Sequence, residues 1–423
     1  MKRSTSKKRK SKINWDFKDA NTVSHTHGFH TYPAKMIPQV AKTLISEYGG
    51  KSKLLFDPFC GTGTSLVEAN LKGINAIGSD LNPLARLLAK VKTTVIETQT
   101  LEFYLHDFYT FLFQYRYGIA REGSIVSPPN FSRIDFWFSK PVKEKLAIIQ
   151  SYINKIENVA VANFFKVAFS QTIRECSWTR NNEFKLYKMS AEQIRSFKPD
   201  VFGTFESLLG KNFSGLQDYI LSKRNRAKAE VLDCNSVYQF PTDKIKPRSI
   251  DIVVTSPPYG DSSTTVAYGQ FSALANQWLG YMENGRSLDG QLMGGKAASE
   301  ITTFKSEALN ESIKKINRRD SGRALDVVSF YSDYNRSIEN ISYTVKPKGF
   351  VCYVVSNRMV KGVQLPTDLI TRDFFKQQGF NHIGTFNREI SSKRMPRTNS
   401  SVGKRGKTGT LMNTESIVVM QKR

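Results

Sequence analysis

The chain has 423 residues, 39% of them hydrophobic, with 62 lysines and arginines against 37 aspartates and glutamates and a net charge of +25. That apolar fraction suffices for a substantial core, and so large a positive excess, which costs self-repulsion, points to a polyanionic partner such as nucleic acid. The four cysteines, Cys60, Cys176, Cys234 and Cys352, show no CxxC spacing, and no apolar run approaches the ~20 residues that span a bilayer, so a disulfide scaffold, a zinc site and a membrane protein are set aside in favour of a reducing, cytoplasmic setting.

Residues 1–24 are expected to form an unstructured basic arm. The stretch MKRSTSKKRKSK holds seven basic residues and no acid, and it lacks the apolar core of a signal peptide. From His25 the pattern becomes α/β. MIPQVAKTLISEYG has helical apolar spacing ending at Gly49-Gly50. KLLFDPF reads as a short buried strand, GTGTSLVEANLKG as a glycine turn opening into a helix, INAIGSD as a second strand and PLARLLAKVKTTV as a second helix. This alternation predicts a parallel sheet. Residues 98–228 are aromatic-rich and helical in period, as in NVAVANFFKVAFSQTIREC, and read as an insertion. The α/β rhythm returns in AEVLDCNSV, SIDIVVTSPPYG, GFVCYVVSNR, GFNHIGTFNREI and ESIVVMQKR. The polar, glycine-dotted stretch 260–325 is expected to be loop-rich, with short helices. The sheet domain is therefore discontinuous, 25–97 and 229–423.

Two places carry chemistry. In FDPFCGTGTSLVEA a strand ends at Asp57 and the glycines bring backbone N–H groups and a helix N-terminus close to a ligand. The next strand ends in GSDLNP, which puts Asp80 where an acid would hold a ribose diol, so the pair points to an adenosyl ligand. Leu66 breaks the G-x-G-x-x-G spacing, which weighs against a dinucleotide. The second place is TSPPYG. Prolines stop the strand and stiffen a turn that presents the Ser256 hydroxyl and the Pro257 carbonyl as acceptors, Pro258 as a brace and Tyr259 as a flat ring. Acceptors aimed at an exocyclic base amine pull it toward tetrahedral geometry as a methyl group arrives. His25, His27 and His30 have no standard metal-ligand spacing, and no metal is expected.

DPFCGTGT, IGSDLNP and TSPPYG together resemble the S-adenosylmethionine-dependent DNA amino-methyltransferases, the N4-cytosine and N6-adenine enzymes of restriction–modification systems. The resemblance covers roughly 25–97 and 229–423. It implies a seven-stranded, mostly parallel Rossmann-like methyltransferase sheet with helices on both faces, plus the largely helical insertion, and a last antiparallel strand at ESIVVMQKR. It implies S-adenosylmethionine contacts from Asp57, Pro58, Phe59, Cys60, Gly61, Thr62, Gly63 and Thr64, from Asp80, Leu81 and Asn82, and from Asp233 and Cys234 on the adenine side. HGFHTYPAKMIPQVAKTLI resembles the segment that closes over the methionine end, which adds Tyr32, Pro33 and Lys35. A serine at position 256 is typical of the N4-cytosine enzymes. Asp or Asn there is typical of the N6-adenine enzymes.

The implied substrate is double-stranded DNA with the target base flipped out, and a cognate restriction endonuclease is an implied partner. Base readout is expected from Arg174, Trp178, Arg180, Asn181, Asn182 and Lys185 in the insertion. Backbone contacts are expected from Lys393, Arg394 and Arg397 in the basic stretch REISSKRMPRTNSSVGKRGKTG. The alternatives are an N6-adenine enzyme, an RNA guanine-N2 methyltransferase and a nonenzymatic DNA-binding protein with a relic cofactor fold. One feature departs from the family order: the insertion precedes Asp233, which leaves the role of that acid open.

Overall fold

Every residue from Ile252 to Thr255 is buried, as befits a parallel strand covered on both faces. A computed structural model describes residues 13–118, 127–181, 183, 185–223, 225–238, 240–261, 266–282, 287–390, 398–399, 409–410 and 414–423. Its main sheet has seven strands: β1 (Leu54–Asp57), β2 (Asn75–Asp80), β3 (Ala229–Asp233), β4 (Ile250–Thr255), β5 (Val345–Val355), β6 (Phe380–Glu389) and β7 (Thr414–Lys422). They lie in the order β3-β2-β1-β4-β5-β7-β6. Neighbours are parallel except that β7 runs antiparallel to both β5 and β6. This is the mostly parallel methyltransferase-type sheet that the sequence predicts, with its antiparallel last strand.

Alternation along each strand divides the core between the two faces. Phe56, Val253, Val351, Tyr353, Val355, Val418 and Met420 point to one side. There they meet helices α9 (Glu307–Asn317), α10 (Ser321–Thr344) and α11 (Thr367–Gln377). Leu55, Ile252, Val254, Cys352, Val354, Ile417 and Val419 point to the other side, against α1 (Pro38–Tyr48) and α2 (Thr64–Leu71). α1 opens on Pro38, whose missing N–H costs nothing at a helix start, and buries Val40, Ala41, Leu44 and Ile45 as one stripe. α3 (Pro83–Thr93) starts the same way, capped by the Asn82 side chain, which accepts from the Leu84 amide.

Residues 98–228 fold as helices. α4 (Thr98–Arg116), α5 (Lys140–Ile153), α6 (Val159–Cys176) and α7 (Val201–Ser222) bury a ring cluster in which Phe108 packs against Tyr152, Phe165 and Phe205 with centroids 5.0–5.9 Å apart. Their core is continuous with α3 and with α8 (Tyr268–Trp278), whose Trp278 is buried among them. One expectation is corrected here. Residues 13–24 are not wholly free: Trp15 is buried against Phe386 of β6, and its carbonyl accepts from Arg388. The loop-rich 260–325 stretch carries the short helices α8 and α9. In α8 the polar Ser272 and Asn276 are buried with the apolar face. Among the described residues no helix is long and apolar enough to cross a membrane.

Gly63, the residue that opens α2, has φ +78°, and a Cβ there would lie 2.9 Å from the Ala89 Cβ of α3. Gly63→Ala therefore strains the backbone and pushes α2 from α3. We expect a stability loss of about 1–3 kcal/mol by urea unfolding.

Candidate active site

A cleft opens at the C-terminal ends of β1, β2, β3 and β4, where the strand order reverses direction from β1 to β4 and where open α/β sheets hold ligands. It brings together Tyr32, Pro33, Lys35, Asp57, Pro58, Phe59, Cys60, Gly61, Thr62, Thr64, Asp80, Leu81, Asn82, Cys234, Ser256 and Pro258 of the residues singled out in the sequence. Gly63 instead packs on Ala89. Asp233 does not line the cleft: its carboxylate is exposed and accepts from Arg86 at 2.7 Å. The same guanidinium donates to the carbonyls of Asp80 and Leu81, so Arg86 binds the ends of β2 and β3 together and turns Asp233 outward. Asn235, Ser236 and Val237 line the cleft in its place, with Ala34, Met36, Tyr268, Gln291, Leu292 and Met293. Asn235 and Ser236 were within reach of the sequence, because they follow the end of β3. Gln291–Met293 and Tyr268 had no signal beyond lying after the proline turn.

The glycine loop is built around two carboxylates. Asp57 is buried at 2% exposure. It accepts from Thr255 Oγ1 at 2.5 Å, from the Ser65 hydroxyl and from the Phe59 amide. Burial pushes its pKa up to about 6, against the pull of those three donors. Asp80 accepts from the amides of Gly61 at 3.0 Å and Asn82 at 2.8 Å. Burial raises its carboxyl above the ordinary range. Gly61 has φ +48°, and the space a Cβ would take there is open.

The upstream segment closes the cleft through Asn82. Its side-chain amide donates to Tyr32 Oη at 2.9 Å and to Ser272 Oγ of α8 at 2.9 Å. The Tyr32 ring stacks on Tyr268, with centroids 6.1 Å apart and planes at 21°. Lys35 donates to the His30 carbonyl at 2.7 Å, and burial lowers its pKa to about 8. The histidines serve packing and pairing: His27 Nε2 lies 2.9 Å from Glu68, and His25 Nε2 lies 3.1 Å from Ser222 Oγ. Among the described residues no group of three or more metal-ligating side chains forms.

The proline turn is fixed on both sides. Ser256 Oγ lies 3.1 Å from the Val354 carbonyl and 3.1 Å from Tyr259 Oη, which donates to Glu415 of β7 at 2.9 Å. A Cβ on Gly260 would fall 1.4 Å from Arg358 Nη1, so only glycine fits beneath that guanidinium. Arg358 in turn holds buried Asp261 at 3.0 Å. Tyr259 is expected to offer a flat ring face on which a base stacks. Its hydroxyl is engaged by Ser256 and Glu415.

The described candidate DNA-contacting residues differ in exposure. Arg174 is a correction: it is buried at 6% exposure, lies 4.1 Å over the Phe271 ring and donates to the carbonyls of Phe271 and Glu183, so it braces α8. Trp178 is half-buried, 4.9 Å beneath the Lys188 ammonium, which also covers Phe136 at 3.9 Å. Arg133 sits 4.1 Å over the same Phe136 ring. Arg180 and Asn181 are exposed, Arg180 3.5 Å from Glu183, and Lys185 is half-buried. Asn182, Lys393, Arg394 and Arg397 lie outside the described residues.

The chain is similar to known proteins. A family model described as DNA methylase matches residues 1–90. The type II methyltransferase M.MvaI of Kocuria varians is 38% identical over 96% of this chain and 93% of its own length. The type II methyltransferase M.BsoBI of Geobacillus stearothermophilus is 23% identical over 95% of this chain and 87% of its own. Among solved structures, the rRNA methyltransferase aviRa from Streptomyces viridochromogenes aligns with a TM-score of 0.32 and 10% identity, covering 93% of this chain and 88% of that one.

The Thr255 hydroxyl is a donor to a buried carboxylate, so its removal costs more when that carboxylate is ionised. Thr255→Val is expected to lose about 1–3 kcal/mol of stability above pH 6 and less below it. The sign follows because losing the donor raises the pKa of Asp57 only in the folded state, which penalises folding where Asp57 is charged. Urea unfolding of both forms at pH 5 and pH 8 measures the difference.

Proposed function

The chain belongs to the DNA amino-methyltransferases of type II restriction–modification systems, with S-adenosylmethionine as cofactor, and from that premise we propose that it methylates the exocyclic N4 amine of a cytosine in duplex DNA. The observation that carries this reading is Ser256, a neutral hydroxyl at the end of β4 that lines the same cleft as Asp80 and Gly61. The cleft fits the cofactor. Asp80 keeps acceptor capacity for two ribose hydroxyls beyond its two backbone bonds. The open space at Gly61 admits a ligand to the backbone. Asn235 and Ser236 offer polar groups to an adenine, and Lys35 and Tyr32 close the other end. Bound there, S-adenosylmethionine supplies an electrophilic methyl carried on a sulfonium, which needs neither metal nor covalent enzyme intermediate.

The protein's own part is to hold the amine. Ser256 Oγ and the Pro257 carbonyl accept its two N–H bonds and gain strength as positive charge develops on nitrogen, so they favour the transition state over the ground state. The prolines keep those acceptors from relaxing away. Tyr259 lends the base an aromatic edge while its hydroxyl is held below. The base reaches this turn by flipping out of the duplex at a cost of a few kcal/mol. Phosphate contacts to the basic surface offset part of that cost. On this reading the cation–ring cluster of Arg133, Phe136, Trp178 and Lys188, together with exposed Arg180, meets the DNA. The protein acts in the cytoplasm beside a cognate endonuclease.

The test is methyl transfer from tritiated S-adenosylmethionine to unmethylated duplex DNA, followed by digestion to nucleosides. The label is expected in N4-methylcytosine. Label in N6-methyladenine overturns the assignment of the base. Ser256→Ala is expected to lower kcat about 100-fold while the cofactor Kd changes less than about threefold. Equal losses in both would remove Ser256 from the amine. Asp80→Ala is expected to weaken cofactor binding about tenfold or more, since hydrogen bonds to a charged acceptor contribute roughly 1.5–3 kcal/mol.

A further inference from the structure

A chain of side chains runs beneath the proline turn. Trp15 contributes its carbonyl, which accepts from Arg388 Nε at 3.1 Å. Arg388 Nη1 donates to Glu415 Oε2, and the pair is largely buried, at 7% and 14% side-chain exposure. The other carboxylate oxygen, Oε1, accepts from Tyr259 Oη at 2.9 Å. Tyr259 Oη in turn meets Ser256 Oγ at 3.1 Å, and Ser256 Oγ meets the Val354 carbonyl at 3.1 Å. Arg388 and Glu415 are direct cross-strand partners on β6 and β7, so the sheet itself sets their spacing.

Counting protons gives the chain a direction. A guanidinium only donates and an ionised carboxylate only accepts. Glu415 can therefore take nothing from Tyr259 except its hydroxyl proton. Burial, with the Glu415 charge adding to it, holds the Tyr259 phenol well above its ordinary pKa, so that proton stays on the ring oxygen. With the tyrosine proton committed to Glu415, the contact between Tyr259 and Ser256 must use the serine's own proton. That proton is shared between Tyr259 Oη and the Val354 carbonyl, both of which lie beneath the turn. The lone pairs of Ser256 are then free on the cleft side.

We infer that Glu415 is a positioning residue: by accepting from Tyr259 it fixes the direction of the Tyr259–Ser256 hydrogen bond and leaves Ser256 solely an acceptor toward the substrate amine. This rests on the role proposed for Ser256. Without such a residue the tyrosine could donate to Ser256 instead, occupying a lone pair that would otherwise accept from the amine, while the serine proton stays directed at the Val354 carbonyl.

Glu415→Gln tests the direction of the chain. Arg388 still requires an oxygen opposite it, so the amide oxygen stays on that side and the NH2 group faces Tyr259. The amide then donates to Tyr259 Oη, and the tyrosine proton is driven onto Ser256. The expected result is a fall in kcat of about tenfold or more, with the cofactor Kd changed less than about threefold. The decisive variant is the double substitution Tyr259→Phe with Glu415→Gln. It has no tyrosine proton to misdirect, so it is expected to recover most of the kcat lost in Glu415→Gln. Tyr259→Phe alone is expected to lose less than Glu415→Gln. If Glu415 merely holds Arg388 and Trp15 in place, the double variant will be no better than Glu415→Gln, and that result overturns the inference. Should the glutamine variant fail to fold, Glu415→Leu, which also strips Tyr259 of its acceptor, is expected to show the same recovery with Tyr259→Phe. Ser256→Ala is measured alongside. If it leaves kcat intact, the proposed function of Ser256 fails. If it lowers kcat while the double variant shows no recovery, the role of Glu415 alone fails.

Discussion

Asp57 is buried at the end of β1, and its carboxylate accepts from Thr255 at the end of β4, from Ser65 in the first turn of α2 and from the Phe59 amide. β1 and β4 are neighbours in the sheet but 198 residues apart at this contact. The bond therefore fixes the relative height of the glycine loop and the proline turn, the two halves of the cleft. A buried carboxylate is expensive unless its lone pairs are met. Burial pushes the pKa of Asp57 up to about 6 even against the pull of its three donors. Each donor that Asp57 holds is correspondingly constrained, and the residue after Thr255 is Ser256. The geometry of the proposed amine site is thus inherited from the floor of the cofactor site.

The proline turn gains rigidity from contacts at three levels. Pro257 and Pro258 limit its backbone. Beyond it, Gly260 fits under the Arg358 guanidinium, and Asp261 binds that arginine. Beneath it, Tyr259 reaches across the end of β5 to Glu415 on β7. The antiparallel last strand is more than a sheet edge cover: lying between β5 and β6, it brings an acid from nearly the end of the chain to the turn. Through Arg388 it also bonds the Trp15 carbonyl near the other end.

What the sequence made legible was local. Strand-to-helix alternation, the acid at the end of β2, the glycine loop and the proline turn each lie within a few consecutive residues, and the sheet order follows from the resemblance those motifs carry. What it hid was set by distance or by burial of polar groups. Trp15 meets Arg388 across 373 residues, so nothing near Trp15 announces that it docks on β6. Arg174 has the composition of a base reader, but α6 buries it against Phe271. Asp233 has the strand-end position of a cofactor acid, but Arg86 draws it outward. Tyr268 enters the cleft because α8 packs into the helical core through Trp278, a long-range contact that no local period reveals.

The charge of the chain is divided between outside and inside. A net +25 is carried by a molecule that keeps Asp57, Asp80, Asp261 and Glu415 around the cleft and turn. On the proposed function, phosphates are drawn to the surface and kept from the cleft carboxylates, whereas a neutral base would meet acceptors that suit its amine. This arrangement bears on why position 256 carries a neutral hydroxyl. Tyr259 Oη stands 3.1 Å from Ser256 and 2.9 Å from Glu415. A carboxylate at 256 would put two anions on one phenol, and like charges that close raise the pKa of one of them until it takes up a proton. A protonated acid there could donate toward the amine and spoil the acceptor. Serine supplies an acceptor without a second charge, so the identity of residue 256 and the presence of Glu415 on β7 are two sides of one electrostatic constraint.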